Sequence, residues 1–504
     1  MIAGRTNWVS RLGIVLVILS AGAQAQSRVA KNEVTVDWGK VTQSKSTPTL
    51  QVVVNPMLLR GAKMHDGSFA ALHNLGADYV RYVPWLPYPK QAVAEMEAPA
   101  DGKTSWDFSH IDTTLDDFMK ATEGHSVILN FSTIPAWMFK TEKPVTYPQD
   151  PNQVFWGYTQ GTELRDPSMK EVSQYFARLL SWYTRDGLTD ENGKWHESGH
   201  HYKVPYWEVL NEIEFEHHWS PEHYTQFYDA VTQEMLKVDP NLKFIGLALA
   251  QPGLAPDMFE YFLNPANHRK NAPMDFISYH FYASPTADQD IESWQYSFFA
   301  QADGFLNTVR YVESIRKHYS PATKTDLDEL GVILTEDDKE IGTPGYVASP
   351  EPARYWNLAG SMYAYLYVEC AKLGIDVIGE SQLVGYPSQF PSVSMMNYNT
   401  SEPNARYWTL KLLLDNFGPG DKLAETKNSV NTYAVQAFLT AKGKKLLVLN
   451  KRKRDQQVTL PQDASGGNIQ FVAPSTGDHR PDSAELSGRV LKLQPFEVAV
   501  VTYK

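Results

Sequence analysis

Eight strand–helix pairs can be read between residues 50 and 417, and that count constrains the fold more than any other feature. The strand-like runs lie at 50–54, 79–83, 126–131, 206–212, 244–248, 276–280, 330–336 and 375–379. Amphipathic segments suited to helices are delimited for seven of the pairs, at 68–75, 107–121, 168–182, 221–238, 304–318, 353–373 and 406–417. Ser220 followed by Pro221 supplies an N-cap and a first-turn proline for the fourth of these helices. A run that is mostly apolar, as in Leu50-Gln51-Val52-Val53-Val54, is expected of a strand buried on both faces of a parallel sheet. Eight such pairs favour a closed (β/α)8 TIM barrel over an open sheet. No Gly-x-Gly-x-x-Gly follows the first strand, which counts against a dinucleotide fold.

The pattern changes at Gly418-Pro419-Gly420. Beyond it, short strands at 433–439, 445–450, 457–460, 468–472, 490–493 and 498–503 are separated by turn residues, as in a small antiparallel β-sandwich. Residues 33–38 also alternate and are expected to add a strand to that sandwich. The expected fold class is therefore α/β, a (β/α)8 TIM barrel followed by a C-terminal antiparallel β-sandwich. Its divisions are 1–25 as a signal peptide, 26–48 as an N-terminal segment, 49–418 as the barrel and 419–504 as the sandwich. The signal reading rests on Arg5 and Arg11, the apolar run 12–19, and Ala23-Gln24-Ala25 as a cleavage site, a run too short to span a bilayer. It implies export to the periplasm or medium, with no membrane attachment once the signal is cut.

Charge and cysteine content remove several function classes. A formal net charge of −12 argues against a nucleic-acid partner. The basic runs 442–445 and 451–454 are expected to form a solvated sheet edge or turn. Cys370 is the only cysteine, so no intramolecular disulfide can form, and its apolar surroundings suggest a buried inert thiol. No Gly-x-Ser-x-Gly or Walker-type pattern occurs. The chemistry expected needs no metal and no cofactor.

Two strand endings carry that chemistry. Tyr206-Trp207-Glu208-Val209-Leu210-Asn211-Glu212 is an apolar strand that closes on an Asn-Glu pair, and Leu334-Thr335-Glu336 closes another. Active sites of parallel barrels sit at the C-terminal strand ends, and two Glu there suit glycoside hydrolysis by paired carboxylates. A carboxyl packed among aromatic neighbours favours its protonated form, so Glu212 is assigned as the acid. Glu336 is assigned as the nucleophile, with Asp337, Asp338 and Glu380 as competing carboxylates. Arg81 is expected to keep the nucleophile charged, with His280 and Tyr282 beside it. Asn211 is expected to bind a sugar hydroxyl. Trp85 and Trp137 are candidate sugar platforms, and Glu380 at the end of strand eight is a further substrate-binding candidate. Glu214, Glu216, His217 and His218 crowd the stretch after strand four, where lining the cleft is expected rather than metal binding.

With those residues in view, Trp207-Glu208-Val209-Leu210-Asn211-Glu212 resembles the acid/base strand of clan A glycoside hydrolases. The chain is most similar to glycoside hydrolase family 39, the family of β-xylosidases and α-L-iduronidase. Supporting segments are Tyr79-Val80-Arg81-Tyr82, Trp106-Asp107-Phe108, Ile134-Pro135-Ala136-Trp137-Met138, 275–282 and Leu334-Thr335-Glu336. They span roughly residues 50–415. The resemblance implies a retaining double displacement with Glu212 as acid/base and Glu336 as nucleophile. Ile213 stands where the family usually has Pro, and Glu380-Ser381-Gln382 stands where many clan members place a Trp. The expected partner is an oligosaccharide or polysaccharide of plant or microbial origin. Xyloside, arabinoside, uronide and galactoside all remain open, with Arg165 or Lys140 able to meet a uronate carboxylate. The alternatives are an endo-acting polysaccharide hydrolase, a transglycosylase, or a barrel that binds carbohydrate without cleaving it. Nothing in the pattern fixes an oligomeric state.

Overall fold

The structure is a computed structural model that describes residues 33–156, 161–286, 288–334, 352, 354–385 and 390–504. Eight strands close into a barrel: Thr47–Val54, Val80–Pro84, Val127–Leu129, Tyr206–Glu208, Lys243–Leu249, Phe276–Ala283, Lys324–Val332 and Val377–Glu380. Every neighbouring pair is parallel and follows chain order, and strand eight returns to strand one with Glu380 opposite Leu50. Helices shield the barrel, among them His65–Leu75, Asp112–Ala121, Lys170–Thr184, Pro221–Val238, Trp294–Tyr319, Tyr355–Leu373 and Ala405–Asn416. The Ser220 hydroxyl accepts the His223 N–H at 3.2 Å and caps the fourth helix, whose bounds match those read from the sequence. A seven-residue helix, Pro256–Phe262, follows strand five, and its two turns are too short to leave a periodic signal in the sequence. No helix among the described residues is long and apolar enough to cross a membrane.

One barrel strand departs from expectation. Strand seven runs over Lys324–Val332 and not over 330–336. Its charged half, Thr325-Asp326-Leu327-Asp328-Glu329, is fully inside the molecule, so the usual equation of charge with loop fails there. A β-bulge accounts for the packing: Leu327 pairs with Ile378 and Leu330 with Glu380, so Asp328 and Glu329 together face the single residue Gly379. The same extra residue appears against strand six, where Asp326 pairs with Ser278 and Glu329 with His280. A Cβ on Gly379 would lie 3.0 Å from the Asp328 carbonyl oxygen and 3.2 Å from its Cα, so the close approach requires glycine.

The C-terminal region is a seven-stranded antiparallel sheet with a two-stranded partner. Val34–Gln43 forms the edge of the large sheet beside Lys422–Asn428. The two-stranded sheet pairs Gln456–Thr459 with Val490–Leu493. Along Gly443–Asn450, Leu446 and Val448 face the small sheet, where they meet Val458 and Leu491, while Leu447 and Leu449 join the core of the barrel. Both faces of this strand are thus covered, which is why it reads as a continuous apolar run. The basic runs are less solvated than expected. Lys445 is buried and donates to Asn416 Oδ1 at 2.6 Å, and the Lys451 ammonium lies 4.2 Å from the Tyr365 ring centre. Cys370 is buried, and burial raises its thiol well above the ordinary value, as an inert thiol requires.

Candidate active site

Strand four ends at Glu208, and the chain then turns twice through left-handed backbone, at Leu210 (φ 68°) and Glu212 (φ 43°). Such angles are uncommon for residues with a Cβ and concentrate where a site must be held in one geometry. They are held here by Asn130 Nδ2 donating to the Leu210 carbonyl at 3.0 Å and by the Glu212 N–H donating to Ala248 O at 2.9 Å. Glu212 is thereby lifted off the strand and caps the short helix Ile213–Glu216.

Facing it across the barrel mouth is Glu329, which the sequence reading passed over. Arg81 Nη1 donates to its Oε1 at 2.5 Å, and the Tyr282 hydroxyl donates to its Oε2 at 2.6 Å. His280 lies between the two carboxylates, with Nδ1 3.0 Å from Glu212 Oε1 and 3.6 Å from Glu329 Oε2. One ligand atom each from Glu212, His280 and Glu329 lie within 4.8 Å of one another. Burial alone would discharge His280, but Glu329 and Asp328 outweigh it and raise its pKa well above the ordinary value. An imidazole held between two carboxylates is an arrangement suited to proton transfer.

Beneath the trio lies a buried charge network. Arg81 is enclosed, and although burial disfavours its charge, Glu208, Asp328 and Glu329 hold it protonated. Its remaining donors reach Gln51 Oε1 and Asn211 Oδ1, each at 2.7 Å. Burial pushes Glu208 up to about 7 despite Arg81, whereas Arg81 and His280 overcome burial to lower Asp328. Ser381 closes the ring, hydrogen-bonded to Tyr282 at 2.6 Å and to Gln51 at 2.8 Å.

These groups open into a cavity of about 420 Å³ whose wall includes Trp85, Asn211, Phe215, Gln251, Gln382 and Phe390. Of the residues expected at the site, Glu212, Asn211, Tyr282 and Trp85 line it, and Arg81 and His280 support it from below. Glu336 lies outside the described residues. Other expected residues lie away from this cavity. Glu380 is buried in an ion pair with Arg406 at 2.8 Å and is turned from the cleft. Trp137 lies elsewhere, with its indole N–H on Glu95 O and the Arg165 guanidinium 4.3 Å from its ring. Arg165 and Lys140 are already engaged by Glu171 and Glu163. Of the crowded stretch after Glu212, Phe215 faces the cavity, Glu214 accepts the Gln251 N–H at 2.8 Å, and Glu216 stands behind the wall.

The signal for Glu329 was present in Asp326-Leu327-Asp328-Glu329, where carboxylates alternate with an apolar residue inside a strand length. Only the bulge brings the last of them to the mouth.

Comparison with known proteins follows the geometry. The sequence model of "Glycosyl hydrolases family 39" matches residues 59–335. No curated protein sequence matches the chain. Among solved structures, an α-L-arabinofuranosidase from Thermotoga maritima is similar at TM-score 0.63 and 13% identity, over 93% of this chain and 99% of that one. A GH51 arabinofuranosidase from Xanthomonas axonopodis pv. citri gives 0.64 and 12%, over 94% and 100%. A GH30 endoxylanase from Clostridium papyrosolvens C71 gives 0.57 and 13%, again over 94% and 100%. At such identities these likenesses speak to the fold.

Proposed function

Since the chain belongs to glycosyl hydrolase family 39 and is a retaining glycosidase, we propose that Glu212 is its acid/base and Glu329, rather than Glu336, its nucleophile. The observation that carries this reading is the facing of Glu212 and Glu329 with their nearest oxygens within 4.8 Å. Retaining enzymes hold the pair about 5–5.5 Å apart, and inverting enzymes need roughly 6.5–9.5 Å for a water. In this reading Glu329, aligned by Arg81 and Tyr282, attacks the anomeric carbon while Glu212 protonates the departing oxygen. Glu212 then removes a proton from the water that releases the sugar. His280 donates to Glu212 throughout and steadies whichever carboxylate bears charge.

We further propose a neutral oligosaccharide as substrate. The described wall offers amides and aromatic rings but no Lys or Arg, and Arg81 is already shared among carboxylates. Arabinofuranosidase and endoxylanase neighbours make pentosides the first substrates to try. Residues 1–25 are read as an export signal, so the secreted protein should begin at Gln26.

The test is covalent labelling with a 2-deoxy-2-fluoro glycoside of a sugar that the enzyme cleaves, followed by peptide mass spectrometry. A label on Glu329 supports the assignment, and a label on Glu336 overturns it. Glu212→Ala should retain slow turnover of nitrophenyl glycosides and be rescued by azide; full activity in that variant would remove Glu212 from the mechanism.

A further inference from the structure

Glu216 ends the helix that Glu212 caps; the residue as a whole is half-buried, but its carboxyl group points inward behind the cleft wall. Its Oε1 accepts two hydrogen bonds, from Asn211 Nδ2 and from Trp85 Nε1, each at 2.9 Å. Both donors line the cavity. Its other oxygen is buried and makes no hydrogen bond. Asn211 is thus gripped from two sides, because Arg81 Nη2 donates to its Oδ1 at 2.7 Å while Glu216 takes its amide N–H. Reversing the amide would set donor against donor and acceptor against acceptor.

We propose that Glu216 is a positioning residue for the glycosidase reaction: through Oε1 it fixes the Asn211 amide and the Trp85 indole in the sugar-binding wall. This rests on the reading of Glu212 and Glu329 given above. The groups facing Glu216 explain its neutrality. Glu212 and Glu329 are the carboxyl neighbours, and Arg81 reaches it only through Asn211. On its own segment Glu214 is turned to the Gln251 N–H. His217 stacks between Phe139 and Trp219 at 5.8 and 4.7 Å, and burial holds it neutral, down to about 3. A buried carboxyl without a cation beside it gives up its charge. Burial, aided by Glu212, accordingly pushes Glu216 up to about 8. Ionisation above that value places a further negative charge beside Glu212 and loosens the wall.

Glu216→Gln keeps the acceptor and the shape but cannot titrate. Glu216→Ala should lose about 10²-fold in kcat/KM, the scale of a misplaced substrate, and Glu216→Gln should recover most of that loss. Wild type is expected to lose activity on an alkaline limb near pH 8, and that limb should move upward in Glu216→Gln. Independently of turnover, the tryptophan fluorescence of wild type should step near pH 8 through Trp85, and the step should vanish in Glu216→Gln. Superimposable pH profiles and fluorescence titrations for wild type and Glu216→Gln would overturn the proposal, as would wild-type kcat/KM in Glu216→Ala. If the fluorescence step behaves as expected while Glu212→Ala and Glu329→Ala both keep full activity, the clamp stands and the double-displacement assignment falls.

Discussion

Asp328 and Glu329 are consecutive residues, yet both carboxylates reach the same guanidinium, at 3.1 and 2.5 Å from Arg81. A regular strand would send them to opposite faces. The bulge opposite Gly379 turns both inward, and it places Glu329 at the mouth and Asp328 below it, against His280 at 3.5 Å.

Gly379→Ala should therefore disturb the site without touching any charged group. The added methyl meets the Asp328 backbone at 3.0 Å and pushes on the bulge. Overpacking of this kind costs about 1–3 kcal/mol, and displacement of Glu329 should lower kcat about 10²-fold. Melting temperature and kcat measured together check this; an unchanged kcat would mean the bulge does not set the position of Glu329.

Arg81→Lys should be severe although it conserves charge. The guanidinium serves Glu208, Glu329, Gln51 and Asn211 in separate directions, and a single ammonium cannot span that fan. We expect kcat to fall at least about 10²-fold, with a loss of stability approaching the roughly 3–5 kcal/mol of a broken buried pair. Steady-state kinetics and denaturant unfolding on the same preparation measure both.

Phe215 is 62% exposed on the lip of the cavity beside Glu212, the proposed acid/base. Phe215→Ala should weaken a disaccharide substrate by about 1 kcal/mol, roughly fivefold in KM. With the glycosyl fluoride of the same sugar, which carries no second ring, the loss should be smaller. Equal losses on both substrates would place Phe215 outside the leaving-group subsite.

Glu95 should make stability depend on pH. Burial pushes it from its ordinary range up to about 8, with Glu191 adding to the effect. A carboxyl raised in the folded state contributes fully below its unfolded value, and that contribution is lost as pH rises through its folded value. Relative to wild type, Glu95→Gln should therefore gain melting temperature between pH 4.5 and about 8, by at most roughly 4–5 kcal/mol. A difference that stays constant across that range would show that Glu95 is ionised throughout.

The amino-acid sequence by itself determined the barrel and the sheets after it, because continuous and alternating apolar runs encode which faces must be covered. It also determined a local start that depends on adjacent residues alone, the helix Pro221–Val238 with its Ser220 cap, whereas strand four stops at Glu208, four residues before the Glu212 ending read from the sequence. What only the tertiary structure decided is which carboxylates meet. Glu380 and Glu329 both lie at barrel strand ends, but Arg406 claims the first while a bulge aims the second at His280. Trp85 and Trp137 look alike in the sequence, yet one faces the cleft and the other lies under Arg165. Periodicity records burial, whereas pairing depends on register between strands far apart in the chain. One extra residue in strand seven was enough to hide Glu329 from the sequence and bring it to face Glu212.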